Sequence, residues 1–467
     1  MSAAEEVKFS MKVLIHKENS KVLFAEVGGD LADILISFLT LPLGTIVRLL
    51  VKHYGDDAPV IGSLNTLYKG LSDLDVNSFW TKTRKLMLLN PKNPFENHVG
   101  KLKLNIDDTE PIKYFACDFL KCTRTKYPVT VSMYCNTDTC ACGRLINKEI
   151  DLKSIDSKQV GVFTKDTASF IISDDLHMVP NLIGSGLQIL NNLGINGTDM
   201  IEEKTGSLVS RTPLTDLIFH RTQIVTNTVN SGPGTVIGQS ATTSNSKNMN
   251  VKIIVQKSTC KVLLAQTRED FVDSVFSMLA IPLGGALSLT GGDSFLGSIH
   301  NLYRSFTSLS VDWHVESQFN TTQLPPKYLS KHQVFPLTEP PLYCFTSWNG
   351  YGYTRHLSSD NKSYSLANEK IHSVDLPDPK GKGSYVKGPA MFTVSDDLVV
   401  TQISAISSFS ILNRLNVPLS DIEEYVVDIG IEEALSILKA SLSSTSALNN
   451  GLQPFLKRHF KKPKQEN

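Results

Sequence analysis

The chain carries the same passage twice. Residues 12–44 align without a gap on residues 252–284, and 13 of those 33 positions are identical. Two more blocks match in the same order, Gly62–Leu74 with Gly297–Leu309 and Phe170–Leu176 with Phe392–Leu398. The offset at the start is 240 residues (252 minus 12), far longer than the unit of a solenoid, whose repeats lean on their neighbours. The pattern predicts a tandem duplication of one mixed α+β domain, each copy burying its own core. A chain of 467 residues has room for two such units of roughly 200 residues each.

Composition narrows the function classes. Forty-six basic residues balance 46 acidic ones, so bulk charge gives no reason to expect nucleic-acid binding. The first ten residues lack the basic start and apolar stretch of a secretory signal, which places the chain in the cytoplasm or nucleus. The most apolar window, 31–50, is broken by Pro42 and Gly44 and carries Asp33 and Arg48, so it reads as a core helix and turn and not as a membrane span.

Each copy opens with two β-rich runs around a turn, residues 12–16 and 21–26 in the first and 252–255 and 261–266 in the second. An acidic helix start follows at Asp30 or Asp270, and the helix is expected to end or kink at Pro42 or Pro282. A hairpin followed by a helix is a β-grasp-like start. A second helix is predicted at 63–71 and 298–306, where Leu64, Leu67, Tyr68 and Leu71 share a face. Residues 81–107 and 316–339, rich in Pro, Asn and Lys, read as long excursions. Residues 168–173 and 391–395 are strand-like, and Pro180 is placed at the first position of a following helix. Near the end of the first copy Ile201-Glu202-Glu203 matches Ile422-Glu423-Glu424, and Ser207-Leu208 matches Ser441-Leu442. Only 3 residues intervene in the first copy against 16 in the second, so a strand and helix were lost or part of an exon is missing. The boundaries read as 7–220 for the first repeat with its cysteine cluster, 221–250 for a flexible linker, 251–445 for the second repeat and 446–467 for a basic tail.

Five of the seven cysteines fall within 117–142. Cys117, Cys122, Cys140 and Cys142 form two pairs around a β-rich stretch, as in a zinc ribbon, where thiolates from two turns converge on one ion. Cys135 is the substitute ligand if the one-residue gap between Cys140 and Cys142 is too tight, and five thiols without an ion is the competing reading. The second copy keeps only Cys344, so an ion in the first would be a structural staple and not a catalyst. The twin Ser-Asp-Asp-Leu segments at Ser173 and Ser395 read as turn chemistry in preference to a paired-carboxylate site. No phosphate loop, dinucleotide fingerprint, zinc-protease helix or nucleophile turn is present, so no catalytic and no cofactor-binding residue is assigned.

The Leu-Pro-Leu-Gly helix end at Leu41, the Gly62 block, the Cys140-x-Cys142-Gly143 knuckle, the Ser-Asp-Asp-Leu turn and the stretch from Arg211 to Asp216 together resemble the plant family known only as domain of unknown function 674. The resemblance covers residues 7–442 and implies a plant source and a two-copy architecture, with no catalytic residues to carry over. The reading that follows is a non-enzymatic interaction or scaffold protein with protein partners, linked modules raising effective concentration. The runner-up is an enzyme or small-ligand binder with its site between the copies.

Overall fold

The computed structural model describes residues 9–18, 22–100, 102, 107, 111–119, 122, 129–136, 138–150, 161–165, 167–195, 197, 200–208, 248–291, 297–314, 321–348, 353–358, 370–376 and 383–460. The first half runs β1 (Phe9–His16), β2 (Val22–Gly28), α1 (Gly29–Ser37), α2 (Leu43–Tyr54), α3 (Leu64–Asp73), α4 (Lys82–Leu89) and the single turn α5 (Glu96–Val99). It continues with β3 (Tyr114–Ala116), β4 (Val129–Ser132), β5 (Lys148–Ile150), β6 (Ser169–Ser173), β7 (Met178–Pro180), α6 (Ile183–Asn192) and β8 (Ile201–Leu208). The second half runs β9 (Met249–Gln256), β10 (Lys261–Arg268), α7 (Glu269–Ser277), α8 (Leu283–Leu289), α9 (Ser298–Ser308), β11 (Tyr343–Trp348), β12 (Tyr353–Ser358) and β13 (Lys370–Asp375). It closes with β14 (Met391–Ser395), β15 (Val400–Gln402), α10 (Ala405–Arg414), β16 (Ile422–Ile429), α11 (Ile431–Ser443) and α12 (Ala447–Phe460). No described helix is long and apolar enough to cross a membrane.

The fold is α+β with antiparallel pairing throughout its two five-stranded sheets. Each half supplies a five-stranded sheet of corresponding order, β7-β6-β2-β1-β8 and β15-β14-β10-β9-β16. The third sheet, β12-β11-β13-β4-β3-β5, takes three strands from each half and is joined by a parallel pair, Val374 with Val129 and Asp375 with Thr130. It curls until its edge strands β5 and β12 approach one another, forming an incomplete barrel around Tyr114, Val131, Ile150, Cys344 and Leu357.

The two proline turns meet at the centre. Pro42 pairs with Pro282 in an antiparallel bridge; the Leu43 N–H donates to Ile281 O and the Leu283 N–H to Leu41 O, each at 2.9 Å. Both glycines after the prolines are needed at this contact. A Cβ on Gly44 would sit 3.0 Å from Leu279 O, and one on Gly284 3.1 Å from Leu39 O.

Beyond this crossing the halves exchange helices. Leu64, Leu67 and Leu71 of α3 make the predicted apolar stripe, yet they are buried with Val251, Val262, Phe392 and Ile437 of the second half. Leu302 of α9 is buried with Val27, Leu31 and Phe170 of the first. The expectation that each copy owns its core is therefore corrected, because each sheet is covered by a helix from the other half. Burial stabilises each leucine of α3 by about 2 kcal/mol, so neither half buries its apolar surface alone. The Ser-Asp-Asp-Leu turns hold the exchanged helices. Asn301 of α9 donates to Asp175 O at 3.1 Å, and Thr66 of α3 donates to Asp397 O at 2.5 Å.

Four details differ from the sequence reading. Pro180 ends strand β7 opposite Phe170, and the helix begins only at Ile183, because the Asn181 N–H still bonds to Ser169 O at 2.9 Å and holds the chain to the sheet. Residues 81–107 hold helices α4 and α5, the first capped by the Thr81 hydroxyl. Ser207 and Leu208 continue β8 opposite Ser10 and Phe9, so they occupy ladder positions held by Asp428 and Ile429 in the second half and not those of helix α11. Residues 447–460, read as the start of a tail, form α12, which buries Leu448, Leu452 and Leu456. Strand β9 already includes Met249 and Asn250; the rest of the linker except residue 248 and the final 461–467 lie outside the described residues.

Candidate metal centre

The cysteine cluster lies at one end of the barrel. Cys117 leaves β3 buried, and Cys122 follows on a tight turn closed by its N–H on Phe119 O at 3.0 Å. After β4 the chain forms a short hairpin held by Asn136 N–H on Ile146 O and Ile146 N–H on Asp138 O, both 2.9 Å. At its tip Cys140 N–H donates to Arg144 O and Gly143 N–H to Cys140 O, each at 2.8 Å. The tip requires Gly143, whose φ of +82° places it where side chains are strained. This turn lets a one-residue gap work, since Cys140 and Cys142 both aim back at Cys117 and Cys122.

The four sulfurs all lie within 4.8 Å of one another. Cys117 Sγ is 3.6 Å from Cys142 Sγ, and Cys140 Sγ is 3.7 Å from Cys122 Sγ. Neither separation is a disulfide, which would bring the sulfurs to about 2 Å. Four thiolates bound tetrahedrally at about 2.3 Å from a zinc-sized ion stand about 3.8 Å apart, close to the two separations given above, so the set could hold such an ion. Cys135, the substitute ligand, is exposed, with its sulfur 4.0 Å from Asn147 O, and stands outside the cluster. Cys344 is buried in the barrel core, and Cys260 sits in the exposed turn before β10.

The surrounding dipoles favour negative sulfur. The Phe119 N–H points at Cys117 Sγ at 3.5 Å. The Arg144 N–H holds the Cys142 thiol down to about 7, the one member of the set fully open to solvent. Burial pushes the Cys122 thiol up to about 12 and raises Cys117, so without a cation the set retains protons that a divalent ion would displace. Two arginines border the cluster. Arg144 stacks on Phe119 with its guanidinium carbon 4.3 Å from the ring centre, and Arg355 of β12 donates to Cys117 O at 3.1 Å. The second contact crosses from the second half to the first where β12 approaches β5.

The other carboxylates singled out by sequence have structural partners. Ser173 and Ser395 hydroxyls bond Asp175 and Asp397 within their own turns, and Asp396 caps α12 by accepting from Asn449 N–H at 2.8 Å. The residues the sequence reading missed are Asp33 and Asp273, buried at matching positions of α1 and α7. Asp33 accepts from the N–H groups of Val162, Phe163 and Thr164 and from the Thr164 hydroxyl. Asp273 accepts from Tyr385 and Val386 N–H groups and the Ser330 hydroxyl. Their identity in both copies, on the apolar face of a predicted helix, was the available signal.

The model of the family described as "Protein of unknown function (DUF674)" matches residues 5–432. The chain belongs to the DUF674 family. No curated protein and no solved structure matches it. Membership thus names a DUF674 architecture without naming a reaction, and the cysteine cluster is the site in this DUF674 chain whose geometry points most directly to chemistry: it could hold a metal ion.

Proposed function

We propose that this is a non-enzymatic interaction protein of a reducing compartment, cytoplasmic or nuclear, whose first half carries a structural zinc ion. The observation that supports the reading is the convergence of Cys117, Cys122, Cys140 and Cys142, whose sulfurs all lie within 4.8 Å of one another. All four positions are taken by thiolate, which leaves no open position for substrate and suits a staple rather than a catalyst. The ion would hold the Cys140 hairpin against β3, next to the Arg355 contact with the second half. Zinc is favoured over other ions by an all-sulfur tetrahedral set.

Two arguments support a role without catalysis. The conspicuous carboxylates already serve as acceptors for backbone and hydroxyl donors, and the crossing between the halves is packed so closely at Gly44 and Gly284 that a methyl group on either would press on backbone oxygen of the other half at 3.0 and 3.1 Å. The matching strand orders and helices support descent by tandem duplication; the β-grasp-like element extends no further than the opening hairpin and helix. Helices α6 and α10 both expose apolar side chains, Ile183 and Leu187 on the first and Ile406 and Phe409 on the second, with Leu187 and Phe409 at corresponding places, a paired surface suited to protein partners.

Metal analysis of the full-length protein purified without chelator tests the reading. About one zinc per chain is expected, falling to background in Cys117→Ser/Cys142→Ser with a lower melting temperature. Protein that is folded and zinc-free, or a variant that keeps its metal, would remove the staple.

A further inference from the structure

The outer faces of the two large sheets are finished differently beneath α6 and α10. In the first half the space is filled with apolar side chains: Phe24 and Ile171 are buried with Leu23 and Ile195, with Val179, Ile189 and Leu190 packed against them. These side chains reach up to α6, where a Cβ on Gly186 would touch Ile171 Cδ1 at 3.5 Å and Phe24 Cζ at 3.9 Å.

In the second half, matching strands and helices carry Leu264 for Phe24, Thr393 for Ile171, Thr401 for Val179 and Ser408 for Gly186. Apolar bulk has been exchanged for three hydroxyls. A cleft of about 420 Å³ opens there, its walls including Ile254, Phe409 and Leu412, with Gln266, Ser408 and Glu424 as polar members. Ser408 is 7% exposed and Thr393 1%, yet neither hydroxyl, nor that of Thr401, makes a hydrogen bond. Thr393 and Thr401 lie in one cross-strand row with Gln266, on the face that bears the cleft.

Buried hydroxyls without partners oppose folding, and a half that has lost filling side chains at the same place is doubly disfavoured. A small molecule in the cleft would relieve the cost at Ser408, which lines it, and that of the unfilled space. The cleft's size is that of a pocket for a small ligand, and its composition, apolar walls with a few hydrogen-bonding groups, is that of one. The single charged lining residue, Glu424, is paired with Lys252 at 2.8 Å, so nothing in the wall selects an anion or a cation.

We propose that the cleft beneath α10 binds an uncharged small molecule with an apolar body and a hydroxyl or carbonyl group, the polar end meeting Ser408. The site lies in the second half, separate from the thiol cluster.

The test uses the full-length protein and N-phenyl-1-naphthylamine, a neutral apolar fluorophore, with 1-nonanol as competitor. Saturable fluorescence enhancement, reversed by nonanol, is expected from the wild type. Restoring the first half's residues in Leu264→Phe/Thr393→Ile/Ser408→Gly fills the space, since Phe24 and Ile171 are the side chains that reach Gly186, and weakens fluorophore binding more than about tenfold. The milder Ser408→Ala keeps the volume and weakens nonanol several-fold. Absence of saturable binding to the wild type overturns the proposal, as does a folded triple variant that binds like the wild type. If the triple variant does not fold, unchanged nonanol affinity in Ser408→Ala overturns it.

Discussion

Gly62 and Gly297 stand at matching places, each before an exchanged helix, with φ of +47° and +48°. A Cβ on Gly62 would lie 2.3 Å from Ser441 O of α11, whereas one on Gly297 would meet nothing within 4 Å. The difference arises because α3 enters a half that carries the α11–α12 pair, with Ser63 N–H bonded to Ser441 O at 2.8 Å and its hydroxyl to Ser444 O at 2.7 Å. Helix α9 enters a half that, among the described residues, has no such pair. That half has instead the thiol cluster, which the second lacks. Two halves with one plan have thus been completed by different means, and sharing helices across the centre allows it, because neither has to be stable by itself.

Separating the halves breaks the comparison most severely. Residues 1–220 and 248–467 expressed alone should each fail to fold cooperatively, having lost the other's α3 or α9. Expressed together, they should recover as a one-to-one complex. A single calorimetric transition for the intact chain is the companion expectation, and two transitions, or one half folding alone, would show that the exchanged helices are decoration.

The glycine pair comes next. Gly297→Ala should cost about 1 kcal/mol, the penalty for a side chain at positive φ with room around it. Gly62→Ala carries the same penalty plus a collision with backbone that cannot swing away, so a loss of about 3 kcal/mol or more is expected by denaturant titration. Equal losses would mean that α11 does not rest on Gly62. Smaller again is Cys140→Ser, expected to release the metal and lower the melting temperature while leaving the far-ultraviolet spectrum near native, because the large sheets hold no cysteine ligand.

How much of this was written in the sequence follows from what kind of contact made it. The hairpins, the helices ended by Pro42 and Pro282 and the stripe of Leu64, Leu67 and Leu71 are local patterns, and they were legible. So were the four thiols, because ligand spacing along the chain constrains where sulfur can go; the Gly143 turn that makes a one-residue gap workable was not. The exchange of α3 and α9 left no trace, since an apolar stripe does not say which sheet covers it. The cleft was invisible for a related reason. Thr393, Thr401 and Ser408 look like ordinary strand and helix residues until they are set beside Ile171, Val179 and Gly186 in a common frame.

The smallest expected effect probes the contact between the halves through a proton. Glu96 accepts from Ile112 N–H at 3.1 Å, near Tyr328 of the second half, whose hydroxyl accepts from Lys92 N–H at 3.2 Å. Burial raises its carboxyl from 4.5 to about 7, against the opposing pull of the Ile112 N–H. The folded state therefore holds a proton that the unfolded chain has released between pH 4.5 and about 7. The associated stability is fully present below pH 4.5 and is lost as pH rises through 7. Because the side chain is only partly buried, the change is on the order of 1 kcal/mol after solvent screening. Glu96→Gln keeps an acceptor for Ile112 and has no proton to lose, so its stability should fall less than the wild type's between pH 5 and 8. Parallel curves for the two proteins would show that the carboxyl titrates as freely in the fold as in the unfolded chain, and that the halves meet there through water and not through a desolvated contact.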